Sequence, residues 1–169
     1  MEKKAKVSVL VPFYNVEKYV GRCVESLFSQ TYSNIEYVFV NDCTPDNSMD
    51  IINEYIDKFN VRNKCVIINH EVNKGISASR NDCLDNATGD YILFIDSDDY
   101  IDKDYVKILL QTALYENADV VECNYKRVLE NGILIEKKDL KEYCKTNTYD
   151  IIHDFLYGLQ FSNTVWNKI

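Results

Sequence analysis

Three carboxylates stand within four residues at Asp96-Ser97-Asp98-Asp99, directly after the apolar run at residues 91–95. Like charges this close repel one another, and a divalent cation with a preference for oxygen ligands relieves that repulsion. Magnesium or manganese, held by one or two carboxylates and completed by water and phosphate, fits this pattern. We therefore predict that Asp96 and Asp98 are metal ligands. For Asp99 we favour the cap of the following helix, because Asp is preferred at helix N-termini.

Polar residues also follow three other apolar runs, which lie at residues 7–11, 35–40 and 65–68. Asp42 follows the second run, where a carboxylate can accept hydrogen bonds from a nucleobase or a ribose. Tyr14 follows the first run and could stack on a flat base, although a partly buried turn residue is an equal alternative. Lys74-Gly75 follows the third run and is either part of the same site or only a turn with a left-handed glycine. Neither His70 nor His153 falls in a pattern that assigns it a role.

Arg80 lies in the middle of an apolar helical stripe, which the spacing predicts to face the core. The stripe consists of Ile76, Cys83, Leu84 and Ala87. A lone charge on such a stripe is rare unless it is paired. Arg80 therefore pairs with a carboxylate at the sheet edge, reaches the phosphates of a ligand, or does both. A solvated guanidinium on a buried stem is the remaining alternative.

The four apolar runs are the elements that must position these side chains. Each run is nearly continuous and rich in Val, Ile and aromatic residues, which is typical of parallel strands buried on both faces. Helical stripes separate the runs, which recur about every 30 residues, the size of a βαβ unit. The pattern predicts an α/β, mostly parallel, doubly wound sheet with its ligand site beyond the carboxyl ends of the strands.

The pattern changes after residue 117. Residues 119–129 are strand-like, residues 130–132 form a turn signal, residues 133–135 fit a return strand, and residues 149–159 fit a short helix. We predict a single domain over residues 1–169 with two parts. Residues 1–117 bind the ligand, and residues 118–169 begin an acceptor-side part whose C-terminal hairpin and helix region looks truncated.

The composition limits which binding partners and which cellular compartment we expect. The formal net charge is −8, with 19 Lys and Arg against 27 Asp and Glu, and this excludes nucleic acid as the main partner. The six cysteines form no C-x-x-C pair, which favours reduced, mostly buried thiols over a zinc site or a disulfide framework. No apolar run approaches the roughly 20 residues that span a bilayer. We expect a cytoplasmic protein, with peripheral association at the inner face of a membrane also allowed.

These segments together resemble motifs of the family 2 glycosyltransferases, in the family's order and at its spacing. Cys43, Pro45 and Ser79 stand where the family usually has Gly, Thr and Ala. The matching segments are Val7-Ser8-Val9-Leu10-Val11-Pro12-Phe13-Tyr14-Asn15-Val16-Glu17, Val40-Asn41-Asp42-Cys43-Thr44-Pro45-Asp46-Asn47-Ser48, Asn73-Lys74-Gly75-Ile76-Ser77-Ala78-Ser79-Arg80-Asn81, Phe94-Ile95-Asp96-Ser97-Asp98-Asp99, and the later Val165-Trp166-Asn167-Lys168.

The resemblance implies a GT-A fold and an inverting transfer from a nucleoside-diphosphate sugar, with UDP as the usual nucleotide and a divalent cation as cofactor. A hexosyl or N-acetylhexosaminyl transfer to a glycan or lipid-linked glycan of a bacterial-type surface polysaccharide is the expected reaction. In the family the catalytic base follows the Trp-Asn-Lys segment, so we expect it beyond Ile169. The implied nucleotide-sugar site consists of Pro12, Tyr14, Asn15, Glu17, Asp42, Lys74, Arg80, Asp96 and Ser97, with Asp98 and Asp96 on the metal.

Three other functions compete with this interpretation. A nicotinamide dehydrogenase is disfavoured because no G-x-G-x-x-G follows the first run. A haloacid-dehalogenase-like phosphatase would need a nucleophilic Asp where this chain has Pro12. A nucleotide-sugar-binding module without turnover is the third alternative. A glycosyltransferase would have an acidic pair after Ile169, whereas a binding module would not need one.

Overall fold

The computed structural model describes residues 4–129, 133–138 and 164–167. Strands and helices alternate through the first two thirds of the chain. The strands are β1 (Val7–Phe13), β2 (Ile35–Asn41), β3 (Cys65–Asn69), β4 (Tyr91–Phe94), β5 (Val120–Glu122), β6 (Tyr125–Val128), β7 (Leu134–Lys138) and β8 (Thr164–Asn167). The helices are α1 (Val20–Phe28), α2 (Ser48–Phe59), α3 (Ile76–Asn86) and α4 (Tyr105–Glu116), with a 3-10 turn at Arg62–Lys64.

The main sheet has the strand order β3-β2-β1-β4-β8-β5. The strands β1 to β4 run parallel to one another, whereas β8 is antiparallel to both β4 and β5. The carboxyl ends of β1 to β4 therefore meet at one edge. The predicted α/β, mostly parallel, doubly wound sheet is confirmed.

Both faces of this sheet are covered, which explains why the strands read as continuous apolar runs. Alternate residues of a strand point to opposite faces. In β1, Val9 and Val11 pack in a core cluster that also contains apolar residues of α1, α2 and α4. Leu10 points the other way and packs against Cys83 and Ala87 at α3. The strand β1 extends two residues beyond the predicted run, so Pro12 and Phe13 belong to the strand rather than to the loop after it.

A buried polar network lies at the opposite, amino-terminal edge of the sheet. The carboxylate of Glu36 accepts hydrogen bonds from Ser8, Lys6 and Thr88, including the Thr88 backbone N–H. Gly89 lies against the same network, where its backbone N–H donates to Ser8 Oγ at 2.8 Å. The start of β1 and the segment before β4 are thereby both fixed to the start of β2.

The region after α4 departs from the prediction in one respect. Residues 119–129 form two short strands instead of one, and these strands belong to different sheets: β5 joins the main sheet, and β6 pairs with β7. The predicted hairpin is confirmed by the antiparallel register of β6 and β7. The turn at residues 130–132 and the predicted helix at residues 149–159 lie outside the described residues.

No two cysteines of the described part form a disulfide with each other, but two of these five cysteines are buried, fewer than the predicted majority. Cys23 and Cys83 are buried and Cys43 is exposed, while Cys144 lies outside the described residues. Among the residues that the structure describes, no helix has the length and hydropathy needed to cross a membrane.

Candidate functional site

A cavity of about 450 Å³ opens at the carboxyl edge of the parallel strands. Ligands of doubly wound sheets bind at this edge, and the volume falls in the range of about 300–1,000 Å³ that is typical of small-molecule sites. The lining comes from the ends of β1, β2 and β4 and from the start of α3. It consists of Pro12, Phe13, Tyr14, Asp42, Asn73, Gly75, Ile76, Ser79, Arg80, Asp96, Ser97 and Asp98.

Most of the predicted nucleotide-sugar and metal residues meet in this cavity, but Asn15, Glu17 and Lys74 do not line it. Glu17 instead joins two loops beside the cavity. Its backbone N–H donates to Asp46 Oδ2 at 2.9 Å, and its carboxylate accepts the backbone N–H of Asn47 at 3.1 Å. Asn15 also bridges these loops, because its backbone N–H donates to Thr44 Oγ1 at 2.8 Å. These residues hold the loop after β1 against the start of α2.

Asp42 follows β2 directly and is only 3% exposed. Its carboxylate accepts the backbone N–H groups of Lys74 at 2.7 Å and Gly75 at 2.8 Å. Lys74 thus contributes to the site through its backbone, while its side chain extends toward Asp82 at 3.9 Å. Burial alone would raise the pKa of Asp42, but the hydrogen bonds from His70, Lys74 and Gly75 outweigh burial and lower that pKa. Asp42 is therefore an ionised acceptor with a fixed orientation at the cavity wall.

His70 is a residue of this site that the sequence analysis missed. Its ring is buried, with Nδ1 at 2.7 Å from Asp42 Oδ1 and Nε2 at 2.6 Å from Asp82 Oδ2. Asp82 lies on α3 and was missed as well. One signal was available, because His70 comes directly after Asn69, the last residue of β3, which pairs with Asn41 at the end of β2. The strand-end argument that selected Asp42 therefore applies equally to His70.

Arg80 forms an ion pair with Asp96, with Nη2 at 3.0 Å from Oδ1. Its predicted place on a core-facing stripe is wrong, since the Arg80 side chain is 45% exposed and Ile76 is also exposed. The buried residues of α3 are Ser79 and Cys83, because only that side of the helix lies against the sheet. Of the alternatives for Arg80, pairing with a carboxylate at the sheet edge is the one observed here.

The acidic segment after β4 presents its carboxylates to the cavity. Asp96 and Asp98 are exposed, whereas Ser97 between them is buried. Asp98 makes no hydrogen bond or ion pair with another described residue. Burial, and then the charges of Asp98 and Asp96, raise the pKa of Asp99. The segment thus concentrates negative charge at the mouth of the cavity.

This donor set fits a magnesium or manganese ion that takes most of its ligands from a substrate. No group of three or more His, Cys, Asp or Glu side chains within the described ranges is arranged to enclose a metal. Two carboxylates with water and phosphate oxygens are the usual environment of Mg²⁺ at phosphate-binding sites. Asp98 and the oxygen of Asp96 that does not face Arg80 are therefore the available protein ligands.

The turn after β2 keeps a backbone conformation that favours glycine. Cys43 has φ of +59°, in the left-handed region that most side chains avoid. Its Sγ lies 3.5 Å from the carbonyl oxygen of Glu71. Asp46 accepts the backbone N–H of Ser48, the first residue of α2, at 3.1 Å, while Asn47 occupies the N-cap position of that helix. The left-handed turn directs the chain from Asp42 toward α2.

Comparison with known proteins identifies relatives that match most of the chain. The family model described as Glycosyl transferase family 2 matches residues 8–163. Glycosyltransferase GlyA of Streptococcus pneumoniae serotype 4 is 42% identical over 157 residues, which cover 92% of this chain and 22% of that protein. Putative glycosyltransferase EpsH of Bacillus subtilis is 37% identical over 163 residues, which cover 96% of this chain and 46% of that protein. The chain thus spans less than half the length of either relative.

A solved structure with the same fold contains a nucleotide sugar. The crystal structure of S. aureus TarS 1–349 in complex with UDP-GlcNAc matches with a TM-score of 0.66 and 32% identity, over 78% of this chain and 37% of that chain. TarS of Staphylococcus aureus is a poly(ribitol-phosphate) beta-N-acetylglucosaminyltransferase. The fold of the described residues is therefore the GT-A fold that the sequence predicts.

Proposed function

This chain belongs to glycosyl transferase family 2, and on that premise we propose that it binds a nucleoside-diphosphate sugar and transfers the sugar to a hydroxyl acceptor. The observation that carries the proposal is the cavity at the carboxyl edge of the sheet. It gathers a fixed carboxylate at Asp42, a cation at Arg80 and exposed carboxylates at Asp96 and Asp98. These groups can bind a nucleobase, a diphosphate and a divalent cation, respectively.

We propose UDP as the nucleotide. An ionised Asp42 accepts hydrogen bonds and matches the N3–H donor of uracil, while the N3 acceptor of cytosine would be repelled. Pro12 and Tyr14 line the same cavity, and the ring of Tyr14 offers a face on which a base can stack. The UDP-GlcNAc bound to the related TarS supports this assignment. A hexose or an N-acetylhexosamine is the corresponding donor sugar.

The diphosphate then lies between Arg80 and the acidic segment. Arg80 supplies a guanidinium that can bind phosphate oxygens in a bidentate manner. Asp98 and Asp96 would hold a magnesium or manganese ion. When bound, this cation neutralises the negative charge that develops on the leaving diphosphate.

The transfer itself is proposed as a direct displacement with inversion. The acceptor oxygen forms a bond to the anomeric carbon as the bond to the diphosphate oxygen breaks, and a carboxylate base takes the proton of the acceptor hydroxyl. A glycan or lipid-linked glycan of a surface polymer is the proposed acceptor, and the polymeric poly(ribitol-phosphate) substrate in the name of TarS supports it. The cytoplasmic location and the peripheral association with a membrane stay predictions.

A nucleotide-sugar-binding module without turnover is the second candidate. The lining residues account for binding of the donor, and among the described residues we assign none as the base. The two candidates share the donor site and differ only in turnover. They are separated by incubating the chain with UDP-GlcNAc or UDP-glucose and measuring released UDP, since slow donor hydrolysis requires a competent catalytic centre.

The donor site is tested by calorimetric titration of UDP into the chain, with manganese and then with excess EDTA. We expect micromolar binding with the metal and binding weaker by about tenfold or more without it. Asp98→Ala should remove most of the effect of the metal. Asp85→Ala is the matched control, because Asp85 is an exposed Asp on α3 outside the cavity lining.

Two results would contradict the proposal. Failure of the folded chain to bind UDP, GDP, CDP and TDP would exclude a nucleoside-diphosphate site. Metal-dependent binding that is equally strong in Asp98→Ala and in the Asp85→Ala control would exclude Asp98 as a ligand of the cation.

A further inference from the structure

His70 is enclosed between two carboxylates that belong to different parts of the chain. Its side chain is 2% exposed, and its two ring nitrogens face Asp42 Oδ1 at 2.7 Å and Asp82 Oδ2 at 2.6 Å. Asp42 follows β2, whereas Asp82 lies on α3. The imidazole therefore links the end of the sheet to the helix that covers it.

The two contacts set the protonation of the ring. An ionised carboxylate only accepts hydrogen bonds, and a neutral imidazole has one N–H and one bare nitrogen. With both carboxylates ionised, each ring nitrogen must carry a proton for both short contacts to be hydrogen bonds. The charged groups that face this arrangement are Asp42 and Asp82, together with Lys74, whose Nζ lies 3.9 Å from Asp82 Oδ2.

The same contacts limit the freedom of Asp42. Its Oδ1 is held by His70 and by the Lys74 backbone N–H, and its Oδ2 by the Gly75 backbone N–H at 2.8 Å. The backbone donors belong to the turn before α3, while His70 approaches from the end of β3. Without the imidazole, Asp42 would keep the donors of one turn only, and its carboxylate plane could rotate.

We propose that His70, anchored by Asp82, is a positioning residue that holds Asp42 as a hydrogen-bond acceptor for the nucleobase and thereby sets the preference for uracil over cytosine. This inference rests on the proposed function and adds a determinant of base specificity. His70 is not in the cavity lining, so it acts through Asp42 and not by contact with the ligand. A positioning role predicts a change in selectivity, whereas a merely structural role predicts a change in stability alone.

The test compares UDP and CDP affinity in the wild-type chain, His70→Gln and Asp82→Asn, with magnesium present. Gln offers Asp42 at most an amide donor and cannot donate to both carboxylates from the ring positions. We expect His70→Gln to bind UDP about tenfold more weakly or worse, as for loss of a hydrogen bond to a charged group. CDP affinity should change much less, so that the UDP-over-CDP ratio falls. Asp82→Asn should lower the ratio by a smaller factor, because an Asn amide can still contact His70 Nε2.

Glu36→Gln is the matched control. It places an amide in the other buried polar network, at the amino-terminal edge of the sheet. It should lower stability and leave the UDP-over-CDP ratio unchanged. Thermal unfolding of each variant establishes that the affinities refer to folded protein.

The outcomes separate this inference from the proposed function. If the wild-type chain does not bind UDP, the proposed assignment of UDP as the nucleotide and this inference both fail. If the wild-type chain prefers UDP to CDP and folded His70→Gln keeps the same ratio, the inference alone is overturned.

Discussion

Arg80 and Asp96 form an ion pair at the wall of the cavity, with Arg80 Nη2 at 3.0 Å from Asp96 Oδ1. The two side chains are 45% and 51% exposed, so solvent screens their attraction and the pair contributes little to stability. Both residues also line the cavity. An exposed pair of this kind holds the guanidinium near the proposed ligand position and can exchange the carboxylate for phosphate oxygens if a diphosphate binds there.

The first prediction concerns Arg80→Ala. We expect UDP affinity to fall by about tenfold to a hundredfold, because a charge-assisted contact to phosphate is lost. The free energy of unfolding should change by less than about 1 kcal/mol, since the pair is exposed. Calorimetric titration and urea unfolding measure the two effects.

Arg62→Ala is the control for this prediction. Arg62 forms a surface ion pair with Asp57 at 3.1 Å and is 50% exposed, in the turn before β3. The Arg62→Ala substitution should leave UDP affinity unchanged. An Arg80→Ala variant that binds UDP like the Arg62→Ala control would show that the guanidinium does not contact the ligand.

The second prediction concerns the dependence of stability on pH at Glu36. Burial alone would raise the pKa of Glu36, but hydrogen bonds from Lys6, Ser8 and Thr88 outweigh burial and lower that pKa to about 2. Because the pKa in the folded state lies below its ordinary value of 4.5, the ionised carboxylate stabilises the fold above that value. This contribution is lost as the pH falls toward 2.

Glu36→Gln should therefore destabilise the chain by about 1–3 kcal/mol near neutral pH. The difference from wild type should shrink as the pH is lowered from about 4.5 to about 2. Urea unfolding of both proteins at several pH values gives this difference directly. A difference that stays constant across the acid range would mean that the charge of Glu36 contributes nothing to stability.

The third prediction concerns Gly89, next to the same network. A Cβ added to Gly89 would lie 2.6 Å from Ser8 Oγ, 2.7 Å from Ser8 N and 2.9 Å from Lys6 O. Two of these atoms belong to backbone that is fixed in or beside the sheet, so the clash cannot be relieved by a rotamer change. We expect Gly89→Ala to lose about 2–3 kcal/mol of stability.

Gly21→Ala is the comparison for the third prediction. Gly21 lies in α1, and its added Cβ would meet side-chain atoms of Tyr55 and Ile51 at no less than 3.5 Å. Ala is favoured over Gly in helices by up to about 1 kcal/mol, so this variant should be as stable as wild type or more stable. Equal thermal stability of the two variants would contradict the close approach at Gly89.

The fourth prediction concerns the left-handed backbone of Cys43. At φ of +59° a side chain costs roughly 1–2 kcal/mol relative to glycine, although Gly also increases the entropy of the unfolded chain. We expect Cys43→Gly to be neutral or slightly stabilising, and Cys43→Val to be destabilising by about 1–2 kcal/mol because of its branched Cβ. Differential scanning calorimetry of the two variants tests this order, and the reverse order would contradict it.

Local sequence pattern alone predicts much of the sheet and several residues of the candidate site. Continuous apolar runs identified β1 to β4, since a strand buried on both faces needs no polar residue. Polar residues at the run ends identified Asp42, Asp96 and Asp98, because parallel strands bring their carboxyl ends to one edge. These inferences depend only on neighbours along the chain.

Tertiary structure decided the contacts between distant segments. The orientation of α3 leaves the Arg80 side chain exposed. Glu17 joins two loops beside the cavity instead of lining it. The strand β8 lies between β4 and β5 in the main sheet. His70 became part of the site only through Asp42, 28 residues earlier in the chain. Periodicity predicts which elements form, but a side chain's partners depend on how the elements pack. That packing is set by long-range contacts, which no short stretch of sequence contains.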